Sequence, residues 1–157
     1  MLPTFFLLLA TAGVLSSCVS ALGEELGWRG FLVPQLAKVT SFPRVSLISG
    51  IVWALWHYPI ILFGGYRGDG PLWYSLVCFT VLVVGISFVY AWMRLKSGSV
   101  WTGVLLHGSH NLFIQAFFDS LTRHSRFTAL WTTEFGAGLA LAGIALAVIF
   151  YRKRGEL

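Results

Sequence analysis

Two adjacent carboxylates are the first candidates for chemistry in this chain. Glu24 and Glu25 stand in Gly23-Glu24-Glu25-Leu26-Gly27-Trp28-Arg29-Gly30. On a helix, Glu25 and Arg29 are four residues apart and share a face, so they can form an ion pair. Glu24 is rotated by about 100° from Glu25 and cannot easily share that arginine, which leaves it free for acid–base work. His57 lies in Trp53-Ala54-Leu55-Trp56-His57-Tyr58-Pro59. Trp53, one turn earlier on the same face, can shield or position the imidazole. His107 and Asn111 are four apart in His107-Gly108-Ser109-His110-Asn111 and face the same way. Both can donate a hydrogen bond to an oxygen, which suits an oxyanion growing on a scissile carbonyl. His110 is near the same face, but its spacing reads as a helix-packing contact. A base, a helper and two donors are what acyl-group hydrolysis by activated water requires. Ser46 and Ser109 lack an acid–base relay, and no glycine-rich phosphate loop is present.

The elements that must position these groups are membrane helices. A crossing needs about 20 apolar residues. Five stretches are expected to supply it: one beginning near Leu2, then 45–63, 72–93, 100–118 and 127–151. The fourth is the weakest because it carries two histidines and an asparagine; the fifth is the most apolar. Turns are predicted at Ser41-Phe42-Pro43, at Gly64 to Pro71, at Lys96 to Ser99 and over 119–126. The first helix is too long for one straight crossing: from Phe5 to Ala37 it would measure roughly 50 Å, against a hydrocarbon core of roughly 30 Å. Pro34 cannot donate to the carbonyl of Gly30, so a kink or break is expected there. A crossing half would precede a tilted or interfacial half ending at Lys38.

Composition leads to the same fold class, an all-α polytopic bundle of about five membrane segments in a single domain over 1–157. Hydrophobic residues make up 57% of the chain and charged residues 11%, against about 25% charged in ordinary soluble domains. One core of this size cannot hide so much apolar surface. The net charge of +5 is no nucleic-acid signal, because the eleven basic residues sit mostly at the ends of apolar runs. Seven of them (Lys38, Arg44, Arg94, Lys96, Arg152, Lys153, Arg154) fall on one side and three (Arg67, Arg123, Arg126) on the other. The positive-inside rule then puts the C-terminus in the cytoplasm and the N-terminus outside. An N-out start leads us to expect further helices before residue 1. Cys18 and Cys78 lie within apolar runs and read as buried, inert thiols. Leu15-Ser16-Ser17-Cys18 looks like a lipoprotein processing site but lacks the positive n-region of a signal peptide. Gly136, Gly138, Ala142 and Gly143 form a small-residue face on the last span, suited to packing another helix.

Ionisable groups inside membrane spans cost several kcal/mol unless paired or wet, so each is a functional candidate. In order, Glu24-Glu25…Arg29, Trp53…His57 and His107…Asn111 resemble the motifs of the CPBP family, the type II CAAX prenyl endopeptidase and bacteriocin-processing (Abi-like) intramembrane proteases. The resemblance runs from about Leu22 to Asn111, with Trp53 standing where the family often has Phe. It implies a helical membrane fold whose cavity opens toward the membrane or cytosol. It also implies that Glu24 is the general base, that His57 helps it activate water, and that His107 and Asn111 stabilise the oxyanion. Glu25 and Arg29 would hold the motif together. A zinc-dependent version would use Glu24, His57 and His107 as ligands. Asn111 one turn from His107 fits an oxyanion clamp better than zinc's usual ligand set, so the expectation is a glutamate–water mechanism with no metal. The implied partners are membrane lipid and a peptide or protein substrate, with a prenylated CAAX tail as the family possibility, in a prokaryotic plasma membrane. Two other classes compete: a non-catalytic immunity or scaffold partner, and a proton- or ion-coupled carrier. The carrier predicts an inverted repeat, and none is evident. Oligomeric state is not legible.

Overall fold

The computed structural model describes residues 2–123 and 125–157. His124, inside the turn predicted over 119–126, lies outside the described residues. Helix α1 runs over 2–37, α2 is Phe42–Phe63, α3 is Leu72–Ser97 and α4 runs over 101–121. A single turn, α5 (Thr128–Trp131), precedes α6 (Ala137–Arg152). No strand occurs among the described residues. Among the described residues three helices are long and apolar enough to cross a membrane: Phe6–Ala37, Phe42–Phe63 and Leu72–Ser97. Large apolar side chains such as Leu15, Val19, Phe31, Ile51 and Leu55 stand exposed on α1 and α2. Lipid is the solvent that suits such faces, and the chain is an integral membrane protein.

The first helix is not broken at Pro34. Over Leu26–Leu32 it widens into a π-helix, and the Val33 amide reaches back five residues to the Trp28 carbonyl. In that register residue 34 would bond to the carbonyl of Arg29, not of Gly30. Pro34 has no N–H to give, and Nε of Arg94 on α3 donates to that carbonyl at 2.7 Å instead. The α-register assumed from sequence therefore named the wrong acceptor, and the helix continues to Ala37. Further π segments are Leu9–Gly13, earlier in α1, and Asn111–Phe118, inside α4.

The last helix is shorter than expected. It begins at Ala137, not Phe127, and its 16 residues span about 24 Å. Upstream, Thr133 adopts φ 63°, a left-handed conformation rare for a β-branched residue. At Gly136 a Cβ would lie 2.2 Å from the Thr132 carbonyl oxygen, so the chain turns tightly there. Glu134 and Phe135 are folded inward by this turn.

Helix α3 is the centre of the bundle, and bare backbones meet it on both sides. A Cβ on Gly50 of α2 would come 2.8 Å from the Cα of Val84, and one on Gly85 would come 2.5 Å from the carbonyl of Gly143 on α6. Small residues let helices approach this closely where water supplies no driving force between them. The small-residue face of the last span thus packs, through Gly143, on a helix of the same chain. Gly136 and Gly138 instead make room for the Trp131–Thr132 turn. Helices α1 and α4 cross at Gly108, where a Cβ would meet Sγ of Cys18 at 2.8 Å. Cys18 and Cys78 are free and buried.

Candidate active site

These close crossings bring the three polar motifs together. Glu25 is completely buried and Arg29 is 2% exposed. The Arg29 guanidinium donates to Oε1 of Glu25 at 2.8 Å and lies between two aromatic faces, 4.1 Å from the centre of Trp53 and 3.9 Å from that of Tyr90. The same carboxylate oxygen takes Nδ1 of His107 at 2.9 Å. Glu25 therefore does more than pair with arginine: it fixes the imidazole on α4. Gly103 makes room for it, since a Cβ there would sit 2.5 Å from Glu25 Oε2.

Trp53 joins every part of the site. Its indole Nε1 donates to Glu24 Oε2 at 3.0 Å, and Trp28 Nε1 reaches the same oxygen at 3.4 Å. Oε1 of Glu24 takes no hydrogen bond among the described residues. The Trp53 ring lies 6.1 Å from His57 and 5.4 Å from His107. Its backbone carbonyl accepts from Nδ1 of His57 at 2.9 Å. A carbonyl can only accept, so His57 carries its proton on Nδ1, and Nε2 holds a lone pair when the ring is neutral. His107, bonded through Nδ1 to a carboxylate, has the same tautomer. Donation from its Nε2 then requires the doubly protonated ring, a condition that the i, i+4 spacing alone does not reveal.

His57, His107 and Asn111 line one small cavity of about 30 Å³ with Trp53, Tyr90 and His110. That volume holds water but no peptide. Glu24 lines a different space, a groove of about 520 Å³ between α1 and α2 bordered by Gly23, Gly27, Trp28, Phe31, Val52 and Trp56. The Trp53 indole stands between the two. Among the described residues no three His, Cys, Asp or Glu side chains converge as a metal set. Glu24, His57 and His107 as placed do not fit zinc, which needs its ligands at about 2.0–2.3 Å from one point.

A further cluster closes the cavity. Glu134, in the connection before α6 and outside the spanning helices, is 6% exposed. Its Oε1 bonds Nε2 of His110 at 2.6 Å, Nε2 of Gln115 lies 3.0 Å from both of its oxygens, and the Tyr66 hydroxyl donates to Oε2. Burial pushes this carboxyl up, but the His110 hydrogen bond and charge, with the bonds from Tyr66 and Gln115, outweigh burial and hold it below the ordinary range. His110 is thus not a simple packing contact. The sequence signal for Glu134 was a lone carboxylate in Thr132-Thr133-Glu134-Phe135-Gly136, within the stretch read as the most apolar of the five.

Comparison with known proteins gives three matches. The family model described as type II CAAX prenyl endopeptidase Rce1-like matches residues 5–113, which include all three motifs. A protein named CAAX prenyl protease 2, from Methanococcus maripaludis, is 34% identical over 116 residues, 70% of this chain and 39% of that protein. An uncharacterized protein of Bacillus subtilis is 25% identical over 164 residues, 96% of this chain and 51% of that protein. The chain therefore spans between two fifths and half the length of these curated relatives. No solved structure matches significantly.

Proposed function

Because the chain belongs to the type II CAAX prenyl endopeptidase Rce1-like family, we propose that it hydrolyses a peptide bond within the membrane, using water activated by Glu24 and His57. The observation that carries this reading is the pair of imidazoles, each tied down through Nδ1 with Nε2 left over. His57 Nε2 is a proton acceptor when neutral, and Glu24 Oε1 is a second acceptor on the other side of Trp53. Doubly protonated His107 beside the Glu25 carboxylate, with the amide of Asn111, supplies two donors for an oxyanion. The Glu25–Arg29 pair acts through His107 by setting its tautomer, as outer-shell carboxylates do for other active-site histidines.

Substrate approach is favoured along the groove between α1 and α2. Its walls are apolar, and a Cβ on Gly23 or Gly27 would meet nothing within 4 Å. An apolar chain can lie there with Glu24 at its polar end, which suits a prenylated tail. The distribution of basic residues supports a cytoplasmic C-terminus.

The test is cleavage of a farnesylated, internally quenched CAAX peptide by the full chain in liposomes. Wild type is expected to cut it, Glu24→Gln to lose the activity while still folded, and a chelator to leave the rate unchanged. A full rate in Glu24→Gln refutes the assignment of the base, and loss of activity with chelator that zinc restores refutes the metal-free form.

A further inference from the structure

The Glu134 cluster has no role in the mechanism above, yet it borders the reaction space. His110 lines the same 30 Å³ cavity as His57, His107 and Asn111. Its Nε2 is held by Glu134 at 2.6 Å, while Nδ1 has no hydrogen-bond partner among the described residues. Tyr66, Gln115 and Glu134 also line an outer pocket of about 310 Å³ with Arg67, Asp69 and Asp119. The cluster is therefore the partition between the catalytic cavity and a polar space at one end of the bundle. A buried carboxylate is costly to keep for packing alone. Glu134 accepts from three side chains, so its consequence falls on His110: it holds the ring through Nε2 and leaves Nδ1 on the side away from itself.

An amide cannot depart as a bare anion, so its hydrolysis needs a proton donor as well as a base. Glu24 and His57 are already engaged as the base that takes the water proton. His107 is committed through Nδ1 to Glu25. We propose that His110, held by Glu134, is the proton donor to the leaving amine; this rests on the protease reading of the site. Water oxygen bonds to the carbonyl carbon and its proton goes to the Glu24–His57 base. The C–N bond then breaks, its electron pair stays on nitrogen, and nitrogen takes the proton from Nδ1 of His110. His110 regains a proton from the outer pocket, and the base releases its own to solvent. The titratable groups around His110 are Glu134, Tyr66 and Asp119 on the outer side and His57, His107 and Tyr90 on the cavity side.

The experiment compares two substrates in liposomes: a farnesylated CAAX peptide and the same peptide with an ester at the scissile position. An alcohol departs with far less help from an acid than an amine does. His110→Gln is expected to lower kcat/KM on the amide by about 100-fold and on the ester by less than about 5-fold, a split that general damage to the site does not produce. The isosteric Glu134→Gln is expected to give a smaller split and to move the alkaline limb of the amide pH profile down, while the ester profile stays in place. Glu134→Gln carries the test if His110→Gln proves unfolded by its thermal transition. Equal losses on both substrates, or no loss on the amide, overturn the proposal, and the proton is then returned by the base itself. If wild type cuts both substrates and Glu24→Gln cuts neither, the protease reading stands whatever His110→Gln shows. If wild type cuts neither, that reading falls and the proposal with it.

Discussion

Arg29 and Glu25 allow structural and chemical roles to be separated in one experiment. Arg29→Met keeps bulk between Trp53 and Tyr90 but leaves the Glu25 carboxylate, which is wholly buried, with His107 as its remaining hydrogen-bond partner among the described residues. Glu25 Oε2 already has no hydrogen bond among the described residues, so nothing nearby compensates. Breaking a buried pair in this way costs about 3–5 kcal/mol, a fall in Tm on the order of 10 °C for a chain of this size. Glu25→Gln/Arg29→Met removes both charges and keeps an acceptor opposite Nδ1 of His107. It is expected to regain at least about 2 kcal/mol of that loss, because matched removal of a buried pair is often near neutral. Activity is expected not to follow. A neutral amide at position 25 removes the carboxylate that holds the His107 ring, and loss of one oxyanion donor lowers kcat by about 100-fold or more. Stability is read from intrinsic tryptophan fluorescence on heating in detergent, and kcat from the peptide assay. The reasoning is refuted if Arg29→Met is as stable as wild type, or if the double variant recovers rate together with stability.

Trp53→Phe retains a ring over Arg29 but loses the 3.0 Å N–H bond to Glu24. It is expected to lower kcat by about 10-fold, the effect of a charge-assisted bond at the weak end of its range, with Tm nearly unchanged; an unaltered kcat refutes the link between indole and base. Gly85→Leu places its Cβ 2.5 Å from the Gly143 carbonyl, which forces α3 and α6 apart. A loss of more than about 3 kcal/mol is expected, and a wild-type Tm contradicts the packing. Glu134 has a depressed carboxyl, so its contribution to stability is complete above the unfolded value of about 4.3 and lost as pH falls through the folded value. The Tm advantage of wild type over Glu134→Gln is therefore expected to be flat from about pH 6 to 8 and to shrink as pH falls below about pH 4.3; an advantage that does not shrink at all between those pH values and about pH 3 contradicts the His110–Glu134 pair.

The bundle and its three motifs were legible because each leaves a local trace. Apolar runs mark α1 to α3, and the i, i+4 spacing of Glu25 and Arg29 reports a pair that the fold contains. The remainder depends on contacts that spacing does not encode. No periodicity shows that Glu25 also reaches His107, 82 residues away. Nothing in Trp53…His57 shows that the His57 proton is fixed by a backbone carbonyl. The inward turn at Thr133 hides in composition because one left-handed residue and one glycine redirect an otherwise helical run. His110 looked idle for the same reason, since its partner Glu134 lies beyond a turn that sequence did not place.

The bond from Arg94 to the Arg29 carbonyl changes what a proline in a helix can be taken to mean. Pro34 empties an acceptor on Arg29, the residue that holds Glu25, and a side chain from another helix occupies it. The two positions are halves of one lock: the acceptor is open because residue 34 lacks a hydrogen, and an ordinary residue there would reclaim it and release Arg94. Across relatives, positions 34 and 94 are then expected to be exchanged together, although 60 residues separate them. A lineage that restores an amide at 34 would lose its reason to keep an arginine at 94.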